Sequence, residues 1–280
     1  MRLIKMTGGL GNQMFIYAMF LRMKKYFPHT RIDISDMVHY HVHHGYEMNT
    51  IFNLPHDEFC ISQPLKKFLE FLFFKTILER KQHGSLTPYQ NKHLWPLVYF
   101  KGFYQSERYF DDIKEEVRRA FTFDTQKANA QTLRMKEHIE TDPFAVSLHV
   151  RRGDYLKPEH WNAIGCVCQL SYYQHALAEM GRLVPDASYY VFSDDLEWVK
   201  QHLHLSKATY IDWNRGSDSW QDMMLMSCCR HHIICNSTFS WWGAWLNPRE
   251  DKQVLVPDRW FNNAAAPFIY PAGWVKVATR

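Results

Sequence analysis

The chain has no long apolar run. Nothing in its 280 residues approaches the ~18 consecutive apolar side chains of a membrane-spanning helix, which excludes a helical integral membrane protein. The opening residues, Met1-Arg2-Leu3-Ile4-Lys5-Met6, read as a short strand running into glycines and lack the apolar stretch of a secretory signal. Cysteine is sparse and unpatterned. Six residues (Cys60, Cys166, Cys168, Cys228, Cys229, Cys235) are scattered along the chain, and Cys166-x-Cys168 has neither the spacing nor the second pair of a zinc knuckle. Without an export signal they are expected to be reduced thiols in a cytoplasmic protein. A concentration of one charge is missing too. Lys and Arg number 33 against 29 Asp and Glu, a net charge of +4 with pI near 8.6. That is too mild for a nucleic-acid surface, and no nucleic-acid partner is expected. It suits an anionic small substrate or a membrane surface. There is no internal repeat and no low-complexity tract. What is abundant is apolar and aromatic, 46% and 16% of residues, which excludes disorder and suffices for one large or two modest domains.

The C-terminal half alternates. Strands are expected at 144–150, 188–193, 208–213, 232–235 and 253–256, with helices at 171–183 (Ser171 as cap), 194–203, 220–229 and 237–246. Strands separated by helices imply parallel βαβ units. The N-terminal half opens alike, with a strand at 2–6, a glycine loop, a helix at 12–26 and a strand at 31–35. Further helices are expected at 64–81 and 111–120, and the polar stretch 124–142 reads as the domain junction.

The motifs lie where strands end. His149-Val150-Arg151-Arg152-Gly153-Asp154-Tyr155 follows the apolar run 144–148. Guanidiniums are always charged and fork onto phosphate oxygens, and open α/β sheets bind ligands beyond the carboxyl ends of their strands. A diphosphate ligand fits this loop, as does a solvated Gly-Asp turn. Gly8-Gly9-Leu10-Gly11-Asn12-Gln13 allows close backbone approach before a helix start, but lacks the third glycine of a dinucleotide fingerprint and the Gly-Lys-Ser/Thr of a P-loop. Ser193-Asp194-Asp195 could bind a metal, accept the N–H groups of a guanine edge, or cap a helix. Asn236-Ser237-Thr238-Phe239-Ser240-Trp241-Trp242-Gly243 is a hydroxyl-rich turn before a helix, suited to an anion, and at least two of Trp241, Trp242 and Trp245 are expected in the core. His39, His41, His43 and His44 alternate as metal ligands would, but no carboxylate or cysteine completes a known spacing and no metal is expected. Residues 66–75 are basic and amphipathic, suiting either a core helix or a segment resting on a membrane.

Taken in order, several segments resemble the family 11 glycosyltransferases, the inverting α-1,2-fucosyltransferases. They are Gly8 to Met14, His44-Gly45-Tyr46-Glu47, Gly102 to Phe110, His149 to Tyr155, Phe192 to Asp195 and Asn236 to Gly243, and they span nearly the whole chain. Lacking the membrane anchor of animal members, the chain looks like a bacterial one. The resemblance implies a GT-B fold, two Rossmann-like α/β domains facing across a cleft. Residues 1–140 would be the acceptor-side domain and 141–280 the GDP-fucose-binding domain. It implies transfer of L-fucose from GDP-fucose to the 2-hydroxyl of a β-galactoside glycan, with neither cofactor nor metal. It also implies a cytoplasmic enzyme, with peripheral contact to the inner face of the membrane left open. Arg151, Asp154 and Asn12 would be catalytic. His149, Arg152, Gly11, Gln13, Ser193, Asp194, Asp195, Asn236, Ser237, Thr238 and Phe239 would hold the donor. Asp154 is the first choice as general base, and Tyr46, Glu47 and Glu107 are the acceptor-side candidates. The alternative is another fucosyl linkage or another GDP-sugar.

Overall fold

A computed structural model describes residues 2–38, 44–55, 57–72, 74–79, 97–266 and 268–280. The chain divides into two compact units, Met1–Asp124 with Phe268–Tyr270, and Thr125–Pro267 with Pro271–Arg280. Both are α/β with wholly parallel sheets.

The first unit runs β1 (Arg2–Lys5), α1 (Leu10–Tyr26), β2 (Thr30–Asp33), α2 (Met48–Ile51), β3 (Glu58–Phe59), α3 (Gln63–Leu72), β4 (Phe74–Leu78), β5 (Leu97–Lys101) and α4 (Lys114–Ala120). The strand order is β3-β2-β1-β5-β4. Helix α1 is buried nearly all round, from Leu10 to Phe20 with the exception of Asn12. It is covered by Phe110 against Phe15 and by Phe121 against Tyr17, so its sequence shows no clean apolar stripe. The helix expected at 64–81 stops at Leu72, and Phe74–Leu78 pairs in register with Leu97–Lys101. Thr76 and Ile77 are β-branched and favour the pleated partner. Helix α3 is also turned over relative to its pattern. Lys66 is the buried residue, 2.9 Å from Asp33 and 3.0 Å from Asp36, while Leu65, Phe68 and Phe71 (87% exposed) point outward.

The second unit contains α5 (Ala130–Thr141), β6 (Ala145–Val150), α6 (Leu170–Leu183), β7 (Ser188–Ser193), α7 (Leu196–His202), β8 (Ala208–Ile211), α8 (Trp220–Cys228), β9 (His231–Ile233), α9 (Thr238–Leu246), β10 (Val254–Pro257) and β11 (Val275–Val277). Its sheet is β11-β10-β9-β6-β7-β8. Counted within the unit and read from the β8 edge, the order is third, second, first, fourth, fifth, sixth, that of dinucleotide-binding sheets. The order reverses between β6 and β9. Strand β6 is buried along its whole length, as an interior parallel strand must be.

The polar stretch read as a junction contains α5, whose N-cap Asn129 accepts from the Thr132 amide (2.8 Å). The compact units divide before this helix, at Asp124/Thr125, whereas the expected 140/141 boundary falls within its last turn. Asn129 and Thr132 bond to Asn214 (2.9 Å each), which ties α5 to the second unit. Helix α6 begins one residue before Ser171, whose hydroxyl donates instead to the Thr279 carbonyl (3.0 Å). Trp241, Trp242 and Trp245 are all buried, packed on one another and on Trp274. Among the described residues no helix is long and apolar enough to cross a membrane.

Candidate functional site

Strand β6 delivers its residues to the point where the second sheet reverses order. Arg151 follows directly, and its Nε and Nη2 both donate to Asp154 Oδ1 (2.8 and 2.7 Å). Nε also lies 3.2 Å from Asp194 Oδ2, at the end of β7. Burial works against the charge of this guanidinium, but Asp194 and Asp154 outweigh it and hold its pKa above the ordinary value. Arg152 places its guanidinium 4.0 Å over the Trp198 ring and pairs Nε with Asp195 Oδ2 (3.1 Å). Its backbone N–H donates to Asp194 Oδ1 (2.8 Å). Two carboxylates on the neighbouring strand's loop thus fix two guanidiniums in place. Gly153 makes this approach possible, because a Cβ there would lie 2.7 Å from Asp194 Oδ2.

The loop after β9 meets this cluster from the other side of the reversal. Tyr155 donates its hydroxyl to the Asn236 carbonyl (3.0 Å), joining the two loops. The Asn236 side-chain N–H groups go to the carbonyls of Ile164 and Trp260 (3.0 Å each), and its buried Oδ1 has no hydrogen-bond partner. Ser237 is the N-cap of α9 and accepts from the Phe239 amide (3.3 Å). Thr238 opens the helix, whose N-terminal amides and dipole favour an anion here. His149 is buried against Cys235 Sγ (3.2 Å) and the Phe239 ring. Burial, with Arg151 adding to it, pushes its imidazole down to about 3, so it is neutral near pH 7. Ser193 accepts from the Asp195 amide (2.9 Å), and Asp195 caps α7 through the Trp198 amide (3.1 Å).

All of the donor-side residues expected from the second half therefore gather at the carboxyl ends of β6, β7 and β9. Asp194 and Asp195, read as metal ligands, guanine acceptors or caps, have arginines and helix amides as their partners. Asp154 clamps Arg151, its sequence neighbour at three residues.

The remaining residues lie in the first unit, after β1, β2 and β5, at the start of α1 and in the segments that lead to α2 and α4. Gly8 has φ +81°, and a Cβ on it would strike the Asn12 side chain at 2.8 Å. Asn12 Oδ1 accepts from Gln105 Nε2 (2.7 Å), linking the loops that follow β1 and β5. Gly11 is buried in the first turn of α1, which Gly9 rather than Asn12 caps. Gln13 is fully buried. Its Nε2 donates to the carbonyls of Gly8 (2.9 Å) and Gly45 (2.7 Å), and its Oε1 accepts from the Glu47 amide (3.0 Å). Its amide is committed to backbone, so it acts on a ligand only through the loops it holds. Tyr46 donates to Glu58 (3.2 Å). Glu107 stands apart in a 3₁₀ turn, paired with Lys114 at 3.0 Å. The Glu47 carboxyl is buried, and burial alone pushes it up to about 7. His44 is described and exposed, whereas His39, His41 and His43 lie outside the described residues.

Sequence reasoning missed the supports: Trp198 under Arg152, Tyr155 bridging two loops, and Gln105 on Asn12. Trp198 had a local signal, being three residues past the Asp195 cap, on the same helical turn. The Gln105–Asn12 pair spans 93 positions and had none.

Residues 1–278 match the family described as glycosyl transferase family 11. An alpha-1,2-colitosyltransferase of Escherichia coli is 30% identical over 290 aligned positions, covering 98% of this chain and 97% of that one. The O-antigen biosynthesis glycosyltransferase WbnK of Escherichia coli is 28% identical, covering 91% and 93%. Human galactoside alpha-(1,2)-fucosyltransferase 1 is 30% identical, but over only 54% of this chain and 43% of that one. Among solved structures, the fucosyltransferase NodZ from Bradyrhizobium superposes with a TM-score of 0.60 at 13% identity, covering 92% of this chain and 94% of that one, a likeness of fold. The order of the strands, the arginine loop at the reversal and a family match over nearly the whole length agree, and the chain belongs to glycosyl transferase family 11.

Proposed function

We propose that this protein is an inverting, metal-independent transferase of GT-B type. It moves L-fucose from GDP-β-L-fucose to the 2-hydroxyl of a terminal β-galactoside. The observation that carries the reading is Arg151, half-exposed and held by Asp154 and Asp194 beside the N-terminus of α9. Departure of the leaving group puts charge on a diphosphate. A guanidinium already fixed by two carboxylates stabilises that charge without reorganising. Arg152, Ser237, Thr238 and the first amides of α9 add further donors. His149 and the Asn236 Oδ1 are neutral groups suited to the nucleoside. The glycosyl group passes through an oxocarbenium-like transition state. The arginines take the part a divalent cation plays elsewhere, so no cofactor is required. We assign the enzyme to the cytoplasm. Peripheral contact with the inner membrane face would use the exposed Leu65, Phe68 and Phe71.

A second reading, a GDP-colitose donor, is favoured by the similarity to the colitosyltransferase. Colitose is fucose without its 3-hydroxyl. A site that hydrogen-bonds that hydroxyl rejects the deoxy sugar strongly, whereas one lined by apolar atoms does not. The test is GDP release from GDP-fucose, GDP-colitose and GDP-mannose, with and without lactose, in EDTA, and the linkage of the product by NMR. Lactose-dependent release from GDP-fucose and an α-1,2 product are expected. Release from GDP-colitose alone establishes the second reading. Activity lost in EDTA and restored by Mn²⁺ overturns the metal-free mechanism.

A further inference from the structure

The two arginines that follow β6 are held in different ways. Arg151 spends Nε and Nη2 on Asp154 and has Asp194 beside it, so two carboxylates fix it. Arg152 has one carboxylate, Asp195, on Nε (3.1 Å), and the face of Trp198 lies 4.0 Å from its guanidinium carbon. Among the described residues nothing bonds its two terminal nitrogens, although the side chain is only 17% exposed. The guanidinium is therefore restrained from one edge and one face, with the end of its fork unspent.

A neutral ring suits this position because the loop already holds much negative charge. Two guanidiniums stand among three carboxylates, Asp154, Asp194 and Asp195. A further carboxylate would fix Arg152 equally well, but it would add to the repulsion of an anionic ligand. An indole face attracts a guanidinium through its quadrupole and brings no net charge. A long side chain fixed before binding also loses less rotamer freedom when the ligand arrives.

Trp198 is itself anchored, as a support must be. It is the third residue of α7, and its amide donates to Asp195 Oδ1 (3.1 Å), while Oδ2 of the same carboxylate takes Arg152. Asp195, Arg152 and Trp198 thus close a ring of contacts. The indole meets Tyr173 edge-on (centroids 6.2 Å apart, planes at 64°) and stacks on His202 one turn further on (4.7 Å, 16°). His202 Nδ1 lies 2.8 Å from the Trp198 carbonyl oxygen, which keeps that second ring in place.

We propose that Trp198 is a positioning residue of the donor site: it aims the free end of Arg152 at the diphosphate without cancelling its charge. This rests on the GDP-sugar reading above. The terminal nitrogens of a guanidinium form a fork that two phosphate oxygens fit. Trp198 acts on the ligand only through that fork.

The experiment measures the Kd of GDP and of guanosine for wild type, Trp198→Leu, Trp198→Phe, Arg152→Ala and the double variant Arg152→Ala with Trp198→Leu. Trp198→Leu should weaken GDP by about three- to thirtyfold, the range of a cation–π contact, and leave guanosine unchanged. Trp198→Phe keeps a ring face and should lose less. In the Arg152→Ala background, Trp198→Leu should change the Kd of GDP by less than about twofold, because the group it acts through is gone. Equal losses for GDP and guanosine, or the same loss of GDP affinity in both backgrounds, would mean a merely structural role and overturn the proposal. Wild-type GDP affinity in either Arg152→Ala or Trp198→Leu overturns it as well. If Trp198→Leu does not fold, Trp198→Met takes its place in the cycle under the same criteria. A wild type that does not bind GDP overturns the GDP-sugar reading itself.

Discussion

At the residue scale, the chemistry depends on how Arg151 is held. A lysine carries the same charge but cannot reproduce the planar Nε–Nη2 edge that donates to Asp154 and faces Asp194. Arg151→Ala should cut kcat/KM by ~10²–10⁴, and Arg151→Lys should recover little of it. Retention of half the wild-type value by the alanine variant would remove Arg151 from the mechanism. Gly153→Ala tests the same geometry with no charge altered. Its Cβ would meet Asp194 Oδ2 at 2.7 Å, so the carboxylate must swing off Arg151. We expect kcat/KM to fall by roughly tenfold, about 1.4 kcal/mol in the barrier, with Tm within a few degrees of wild type. An unchanged rate would mean the ion pair is dispensable. This part of the site was legible because it is local: an apolar strand, two arginines and a Gly-Asp turn within seven residues. The partners of those arginines were legible only as positions. Nothing in Ser193-Asp194-Asp195 distinguishes a carboxylate that reads a base from one that holds a guanidinium 43 residues away.

At the element scale, α5 shows why a helix can hide. Its anchors to the sheet are Ile139 and the buried Thr132, whose hydroxyl donates to Asn214 Oδ1 and accepts from Trp213 Nε1 (2.9 Å each). A polar side chain stands where an apolar stripe would have shown the 3.6-residue period. Asn129 supplies the cap and also donates to Asn214. Asn129→Ala should cost ~1–2 kcal/mol, read as a lower urea midpoint at unchanged m-value. A loss below ~0.3 kcal/mol would show the cap to be redundant. Strand β4 was hidden for the opposite reason. The run Phe68-Leu69-Glu70-Phe71-Leu72-Phe73-Phe74 suits a helix, and only its pairing with Leu97–Lys101 makes a strand of Phe74–Leu78.

At the scale of the whole molecule, buried groups with displaced titration set the stability against pH. His149, pushed to about 3, and His232, pushed well below its ordinary value, stay neutral in the fold but protonate near 6.5 once unfolded. His232 is locked neutral by Ser147 at Nδ1 (2.8 Å) and by the Asn247 amide N–H at Nε2 (2.9 Å). The stability these histidines contribute is present above pH 6.5 and is lost as pH falls, by ~1.4 kcal/mol per pH unit each. Glu47 and Asp222 work in the opposite sense. Burial pushes both carboxyls up to about 7, so their ionisation costs stability above pH 7 and that cost fades as pH falls towards 4.5. Two opposing pairs nearly cancel between pH 6.5 and 4.5, and the wild-type Tm should be almost flat there, falling only at lower pH. Glu47→Gln removes one of the offsetting carboxyls. It should be more stable than wild type at pH 8, by on the order of 1–3 kcal/mol, and should lose ~1.4 kcal/mol per pH unit relative to wild type between pH 6.5 and 4.5. Parallel Tm profiles for the two proteins would show that Glu47 is not buried with a raised pKa.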